Sequence, residues 1–317
     1  MHVLITGAAG YVGRALVQRL QRQGRLGGRT LTRLTLVDLG FGDAPVPPGT
    51  QQHAGDLADT AWLDGVLAGA PLDAVFHLAS IPGGTAEAQY TLARRVNLDA
   101  TLGLVERCRG QVEAGGPVPV FVFASSIAVL GQLPALVDDH TLPRPVMGYG
   151  THKLVGELLL DDFSRRGWLD GRALRLPGVL ARPPARTGQL SAFLSDCIRL
   201  LAAGQPFTCP TTPGATTWAS SLPCVVDNLL HGATVPAARL GGQRCFTLPT
   251  SHFAMADLVA AVGQVHGVDA AALVQYQPDA RIEALFGRFP PLRTPAADAA
   301  GFRRDADLPS LVRQALV

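Results

Sequence analysis

Lysine is almost missing from this chain. Lys153 is the only one in 317 residues, and every other basic side chain is arginine. Tyrosine is nearly as scarce, with four copies, and tryptophan and methionine occur three times each. Charge of either sign is in short supply too: 27 basic groups face 25 acidic ones, a formal net charge of +2. So even a balance excludes the broad basic surface that a nucleic acid or an anionic membrane requires. No apolar run approaches the ~20 residues of a membrane-spanning helix. The strand pattern that begins at His2 leaves no room for a signal sequence. The five cysteines, Cys108, Cys197, Cys209, Cys224 and Cys245, form no CxxC pair and no other metal-ligand spacing. Odd in number and scattered, they indicate a reducing, cytoplasmic setting and no bound metal.

What is present is apolar and patterned. Hydrophobic residues make up 47% of the chain and charged residues 16%, enough for a large core in one or two domains. Short β-branched runs alternate with helical spacing through the first half: HVLIT (2–6), GRALVQRLQRQG (13–24), LTLVDL (34–39), a helical stretch near 60–69, AVFHLAS (74–80), a helix over about 86–110, PVFVFASS (119–126), a helix starting near Tyr149, and GRALRLP (171–177). Repeated strand–helix units predict an α/β fold, a doubly wound parallel sheet with helices on both faces. After Pro177 the texture becomes rich in Pro, Gly and Thr, with helical segments over 191–202 and 224–234, a strand at RCFTLPT (244–250), and a largely helical end from about 252. The expected division is a nucleotide-binding domain of residues 1–177 and 223–250, with a smaller, mixed substrate-binding part over 178–222 and 251–317.

The loop GAAGYVG (7–13) lies between a predicted strand and a predicted helix. Gly7 allows the tight turn, Gly10 lets backbone approach a pyrophosphate, and Gly13 permits close helix packing. Tyr11, Val12 and Gly13 open the helix whose free N–H groups would face the phosphates. Asp38, at the end of the second strand, can accept hydrogen bonds from both adenosine ribose hydroxyls and would repel a 2′-phosphate, which favours NAD over NADP. In GDLAD (55–59), Asp56 can meet the adenine amino group with Leu57 beside it, although alone such an Asp is more often a helix N-cap. Leu78, Ala79 and Ser80 end the fourth strand with residues suited to run beneath a cofactor, and Pro177 ends a later one. His77 reads as a packed residue.

Tyr149 and Lys153 are four apart on a predicted helix and share a face. A free phenol titrates near ~10, too high for a base at neutral pH. A neighbouring ammonium typically lowers such a pKa by roughly 1–3, toward the range where a general base works. The compact, three-donor head of a lysine also suits the nicotinamide ribose hydroxyls better than the planar fork of arginine. Ser125 and Ser126 end the strand PVFVFASS, where a hydroxyl can donate to a developing alkoxide.

GAAGYVG, the strand-end Asp38, FHLAS, RVNLDAT, FASSIAVLG and YGTHK together resemble an extended short-chain dehydrogenase/reductase of the NAD-dependent epimerase/dehydratase superfamily. The resemblance implies a Rossmann domain that binds NAD, with Ser126 as the catalytic hydroxyl, Ser125 as its neighbour, Tyr149 as acid/base and Lys153 as its partner. It implies that Asn97 kinks a helix, helps the proton path and borders the cofactor. It also implies a homodimer formed through helices near 86–110 and 149–166. Ala100 stands where the family usually has Gly, and Leu130 where a Tyr is common. RLPGVLARP (175–183) lacks the Asn and the Tyr-Gly-Pro run of nucleotide-sugar enzymes. MHVLITGAAG, LTRLTLVDL, YGTHKLVGELLLDDFSRRGWLDGRALRLP, WASSLPCVVDNLLHGA and the PDARIEALFGRFP run are closer to members that oxidise the 2-hydroxyl of a four-carbon sugar acid. The alternative is an epimerase or dehydratase of a nucleotide-sugar. A sugar acid needs a cation for its carboxylate: Arg182 is the first candidate, with Arg144 and Arg186 behind it. Ser80, Ser125, Ser126, Tyr149 and the Ser220–Ser221 pair are candidates for contacts with its hydroxyls.

Overall fold

The computed structural model describes residues 1–42, 46–183 and 191–316. Their contacts divide them into two units. The first holds 1–131, 143–175 and 228–247, and the second 132–142, 176–227 and 248–317.

The first unit is built on seven strands: β1 (His2–Thr6), β2 (Arg33–Asp38), β3 (Thr50–Ala54), β4 (Ala74–His77), β5 (Val120–Ser126), β6 (Asp170–Leu176) and β7 (Cys245–Thr247). All five residues of β1 are buried, as a strand with helices on both faces must be. Their order in the sheet is β7-β6-β5-β4-β1-β2-β3. The chain therefore winds outward one way from β1 and then restarts at β4 in the other direction. That reversal leaves a crevice at the carboxyl ends of β1 and β4, where doubly wound sheets hold their ligands. The register sets those ends level: Thr6 pairs with Val37 of β2 and with His77 of β4. The segments that leave these strands thus gather at one edge.

Helices α1 (Tyr11–Gln23), α2 (Thr60–Leu67), α3 (Ala100–Glu113) and α4 (Gly148–Arg165) follow the predicted positions closely. The helix expected over 86–110 is interrupted, and the break falls at Asn97, where the resemblance implies a kink. It runs as short helices at Gly83–Ala88 and Tyr90–Arg94, a turn of π-helix at Arg95–Asp99, and then α3. Asn97 explains the break: its side-chain amide donates to Ile81 O (3.1 Å) and accepts from Ile81 N–H (2.7 Å), a clamp that a regular helix would swing away. Such single π-turns cluster at functional sites. One apolar cluster, including Leu4, Val37, Leu63, Val75, Leu104, Phe121, Phe123, Leu160 and Phe163, joins the sheet to its helices.

The second unit has a three-stranded sheet, with Thr216–Ser221 parallel to Gly178–Leu180 and antiparallel to Ser251–Ala254. A parallel pair joins Phe207–Cys209 to Val274–Tyr276. Helices Ala192–Ala202, Met255–His266 and Leu308–Ala315 share its core through Leu194, Ile198, Leu258, Val262 and Leu311. The sequence predicts a largely helical end, yet SHFA (251–254) and VQY (274–276) are strands. Three or four residues carry no usable period, and their pairing comes from partners distant in sequence. Among the described residues no helix is long and apolar enough to cross a membrane.

Gly156 lets α4 lie against β5, because a β-carbon there would meet the Phe123 ring at 2.6 Å. Gly156→Ala gains helix propensity but overpacks this contact, so a net loss of about 1–3 kcal/mol is expected. Chemical denaturation of the two proteins measures it.

Candidate active site

Gly7 sits at φ +69°, and a β-carbon there would come within 2.6 Å of Ala79 N. The loop after β1 is thus pressed onto the chain leaving β4, which only glycine permits. Gly13 is tighter still, since its β-carbon would lie 2.1 Å from Gly7 O. Gly10 precedes α1 without a side-chain cap, so the first turn presents Tyr11, Val12 and Gly13 with backbone N–H groups directed out of the helix. Asp38 is anchored beside this loop: its carboxylate accepts from Ala9 N–H (2.9 Å) and Leu39 N–H (2.7 Å). A glycine turn that a β-carbon would block, an uncapped helix start and a held carboxylate at the neighbouring strand end are what a dinucleotide with free ribose hydroxyls requires. These residues fit NAD.

Asp56 has partners within the chain. One oxygen accepts from Ala58 N–H (2.9 Å), and the other pairs with Arg95 at the start of the π-turn. The cap of α2 is Asp59, whose carboxylate accepts from Trp62 N–H at 3.0 Å. The Leu57 side chain is buried in the apolar cluster. Leu78, Ala79 and Ser80 are half-buried along the edge beside the glycine loop.

His77 is buried, as its sequence context suggested, and it sits in a directed hydrogen-bond chain. Thr101 Oγ1 donates to Asn97 O (2.8 Å), so it accepts from His77 Nε2–H (2.8 Å). The other ring nitrogen, Nδ1, then accepts from Thr6 Oγ1 at 2.7 Å. Burial, with the Lys153 charge adding to it, brings the imidazole down to about 3 and keeps it neutral. The hydrogen-bond chain links the end of β1 to the π-turn, and neither Thr6 nor Thr101 carried a sequence signal.

The serine, tyrosine and lysine come from the end of β5 and the start of α4. Ser126 Oγ accepts from Ala128 N–H at 3.1 Å, which leaves its own proton to donate. Ser125, one residue earlier, is turned away: it donates to Glu157 Oε1 at 2.5 Å. Lys153 is 3% exposed, with Nζ 4.7 Å from the Phe123 ring centroid and 5.7 Å from that of Tyr149. Both ring faces attract a cation. Burial brings the amine down to about 7, and the Glu157 charge opposes that fall. Glu157 is itself 2% exposed and takes both Arg175 Nε (2.9 Å) and Nη2 (2.7 Å). Phe123, Glu157 and Arg175 were missed from sequence. A Glu four residues after the lone lysine was the available signal.

Pro177, Arg182, Ser220 and Ser221 belong to the second unit. The backbone N–H of Arg182 donates to Ser195 Oγ at 3.0 Å. Ser221 Oγ donates to buried Asp305 (2.5 Å), and Ser220 bonds Thr250 Oγ1 (3.0 Å), so both hydroxyls serve that unit's own packing. Arg144 is exposed in the first unit, its carbonyl so close to Gly131 that a β-carbon there would lie 1.8 Å away. Arg186 lies outside the described residues.

Comparison with known proteins agrees with this geometry. Residues 3–216 match the NAD dependent epimerase/dehydratase family. A D-erythronate dehydrogenase from Cupriavidus necator is 39% identical over 99% of this chain and 97% of its own. Another, from Haemophilus influenzae, is 30% identical over 99% and 98%. Among solved structures, a nucleoside-diphosphate-sugar epimerase from Agrobacterium tumefaciens superposes with a TM-score of 0.90 at 33% identity, over 98% of this chain and 92% of that one. With the glycine loop, Asp38 and the buried lysine in place, the chain belongs to the NAD-dependent epimerase/dehydratase family and is an NAD-dependent oxidoreductase.

Proposed function

We propose that the protein oxidises the C2 hydroxyl of a small sugar acid, D-erythronate, to the 2-oxo acid. The observation that carries this reading is the similarity to two D-erythronate dehydrogenases along nearly the whole chain. It extends through the second unit, beyond the family match at residues 3–216. The cofactor, NAD, supplies the two-electron acceptor when bound between the glycine loop and Asp38.

The chain's own residues handle the proton. Tyr149, as phenolate, takes the proton of the substrate hydroxyl, and Ser126 donates its hydroxyl hydrogen to the same oxygen. Ser126 is suited to this because its oxygen accepts from Ala128 N–H, a bond that does not use its own proton. Lys153 stabilises the phenolate through charge, and the phenolate in turn favours the ammonium, so the two groups titrate as a pair. With Lys153 only 3% exposed, this attraction is stronger than in water. The products are a ketone, a reduced cofactor and a neutral phenol that returns its proton to solvent.

The nucleotide-sugar reading has its own support in the 33% identity to the Agrobacterium epimerase. The two differ in what leaves the enzyme. Purified protein mixed with NAD and D-erythronate should build up NADH absorbance at 340 nm. NADH from no sugar acid in a panel of related aldonates, with turnover of a nucleotide-sugar instead, would overturn the reading. Tyr149→Phe should fold, keep NADH binding and lose at least ~100-fold in kcat. Lys153→Arg, which keeps a charge but not the compact head, should also lose most activity; near-normal kinetics in either variant would remove that residue from the mechanism.

We further propose that the protein is a cytoplasmic homodimer, as its cysteine usage and its family resemblance imply. Tyr90 (64% exposed), Leu102 (43%) and Leu158 (63%) show apolar surface on the Tyr90–Arg94 helix, α3 and α4. Exposed apolar side chains on helices that touch one another support an association face there. Light scattering should give twice the chain mass for the native protein and a single chain mass for Leu158→Glu.

A further inference from the structure

Three residues of α4 stand one turn apart in a row: Tyr149, Lys153 and Glu157. At spacings of four they share a face, and with Tyr149 ionised their charges alternate. Arg175 of β6 extends the row by pairing both of its donors with the Glu157 carboxylate. We propose that Glu157 is a positioning residue for the reaction, a buried counter-charge that keeps the ammonium on Lys153 and thereby keeps the Tyr149 phenolate accessible near neutral pH. The proposal rests on the reading of Tyr149 and Lys153 given above and adds the group that sets their charge.

The geometry supports a specific role. A carboxylate that is 2% exposed is costly unless its oxygens are satisfied. Glu157 has three donors: the Ser125 hydroxyl at 2.5 Å and two arms of Arg175 at 2.9 and 2.7 Å. These bonds fix the carboxylate in place, and through Ser125 they also fix the end of β5 that carries Ser126. Burial disfavours the charge on Lys153, and among the groups around it Glu157 is the one that restores it.

The other neighbours do not do this. On β4, His77 is neutral. On β7, Cys245 is pushed up to about 12 by burial first and Glu157 next, so it stays a thiol. Asp161 of α4 acts on Cys245 from one turn beyond Glu157. The positive charge of Arg175 is already matched by the Glu157 oxygens.

Removing the Glu157 charge has two opposing effects on Tyr149. Directly, it takes a negative charge away, which favours the phenolate. Indirectly, it lets Lys153 lose its proton at lower pH, which disfavours the phenolate. Eight residues of helix rise about 12 Å, whereas the Lys153 ammonium lies 5.7 Å from the Tyr149 ring centroid, and a charge acts less strongly the farther away it is. The indirect effect wins, so the tyrosine titrates later.

The first readout needs no substrate. With only four tyrosines in the chain, phenolate absorbance near 295 nm can be recorded against the same protein carrying Tyr149→Phe, which isolates Tyr149. In Glu157→Gln the titration midpoint should rise by roughly one pH unit or more, and in Glu157→Asp by less in the same direction. Thermal unfolding checks that each variant is folded. The acid limb of the kcat profile should move with the midpoint, a change that a purely structural role, lowering kcat evenly at every pH, would not produce. An unmoved or lowered midpoint in the folded Gln variant overturns the proposal, and if only the Asp variant folds, an unmoved midpoint there does so. Failure of the sugar-acid assay with a shifted midpoint would instead reject the substrate and leave the role of Glu157 standing.

Discussion

A single ammonium inside the protein is the constraint around which the first unit is arranged. Taking a lysine head out of water costs several kcal/mol unless other groups compensate. Here the compensation comes from three directions. The Phe123 ring presents its face, the Tyr149 ring presents another, and Glu157 supplies the opposite charge from the next turn of α4. Each of these partners has its own support. Gly156 lets the helix settle on Phe123, Arg175 and Ser125 hold Glu157, and His77 stacks 5.6 Å from Phe123 on the neighbouring strand. The lysine is therefore the centre of a packed shell rather than a side chain that happens to face a cleft.

The sheet brings this shell to the cofactor loop. Parallel strands with level carboxyl ends place the turn after β1, Asp38, the chain after β4 and the serines of β5 along one edge. The π-turn then fixes the edge from the side. Its Asn97 clamps Ile81, its carbonyl receives Thr101, and its Arg95 pairs with Asp56 beyond β3. The result is a backbone cradle whose parts are bonded to one another, the kind of preorganisation that catalysis draws on.

Much of this was legible in the residues. The alternation of apolar runs gave the strands and helices of the first unit, because long buried elements carry strong periods. The glycine loop and the Tyr149–Lys153 pair were readable because their chemistry depends on local spacing. What sequence did not disclose depends on contacts between distant segments. The family resemblance implies the kink at Asn97, but not the clamp on Ile81, sixteen residues away in the chain, that holds it. The small strands of the second unit exist only through their partners. Ser220 and Ser221 looked available, yet Thr250 and Asp305 take their hydroxyls. Asp56 read as a ligand or a cap, and the cap proved to be Asp59. Glu157 was passed over because a charge one turn along a helix usually faces water, and only its burial distinguishes it here.

The scarcity of lysine has a chemical corollary. Because Lys153 carries the chain's only ε-amine, acylating or imine-forming reagents have one side-chain address in the whole molecule, and that address is shielded. At 3% exposure the amine meets a reagent only when the groups packed around it move aside. Covalent modification of lysine in this protein is thus a direct gauge of how often the shell around the catalytic helix opens.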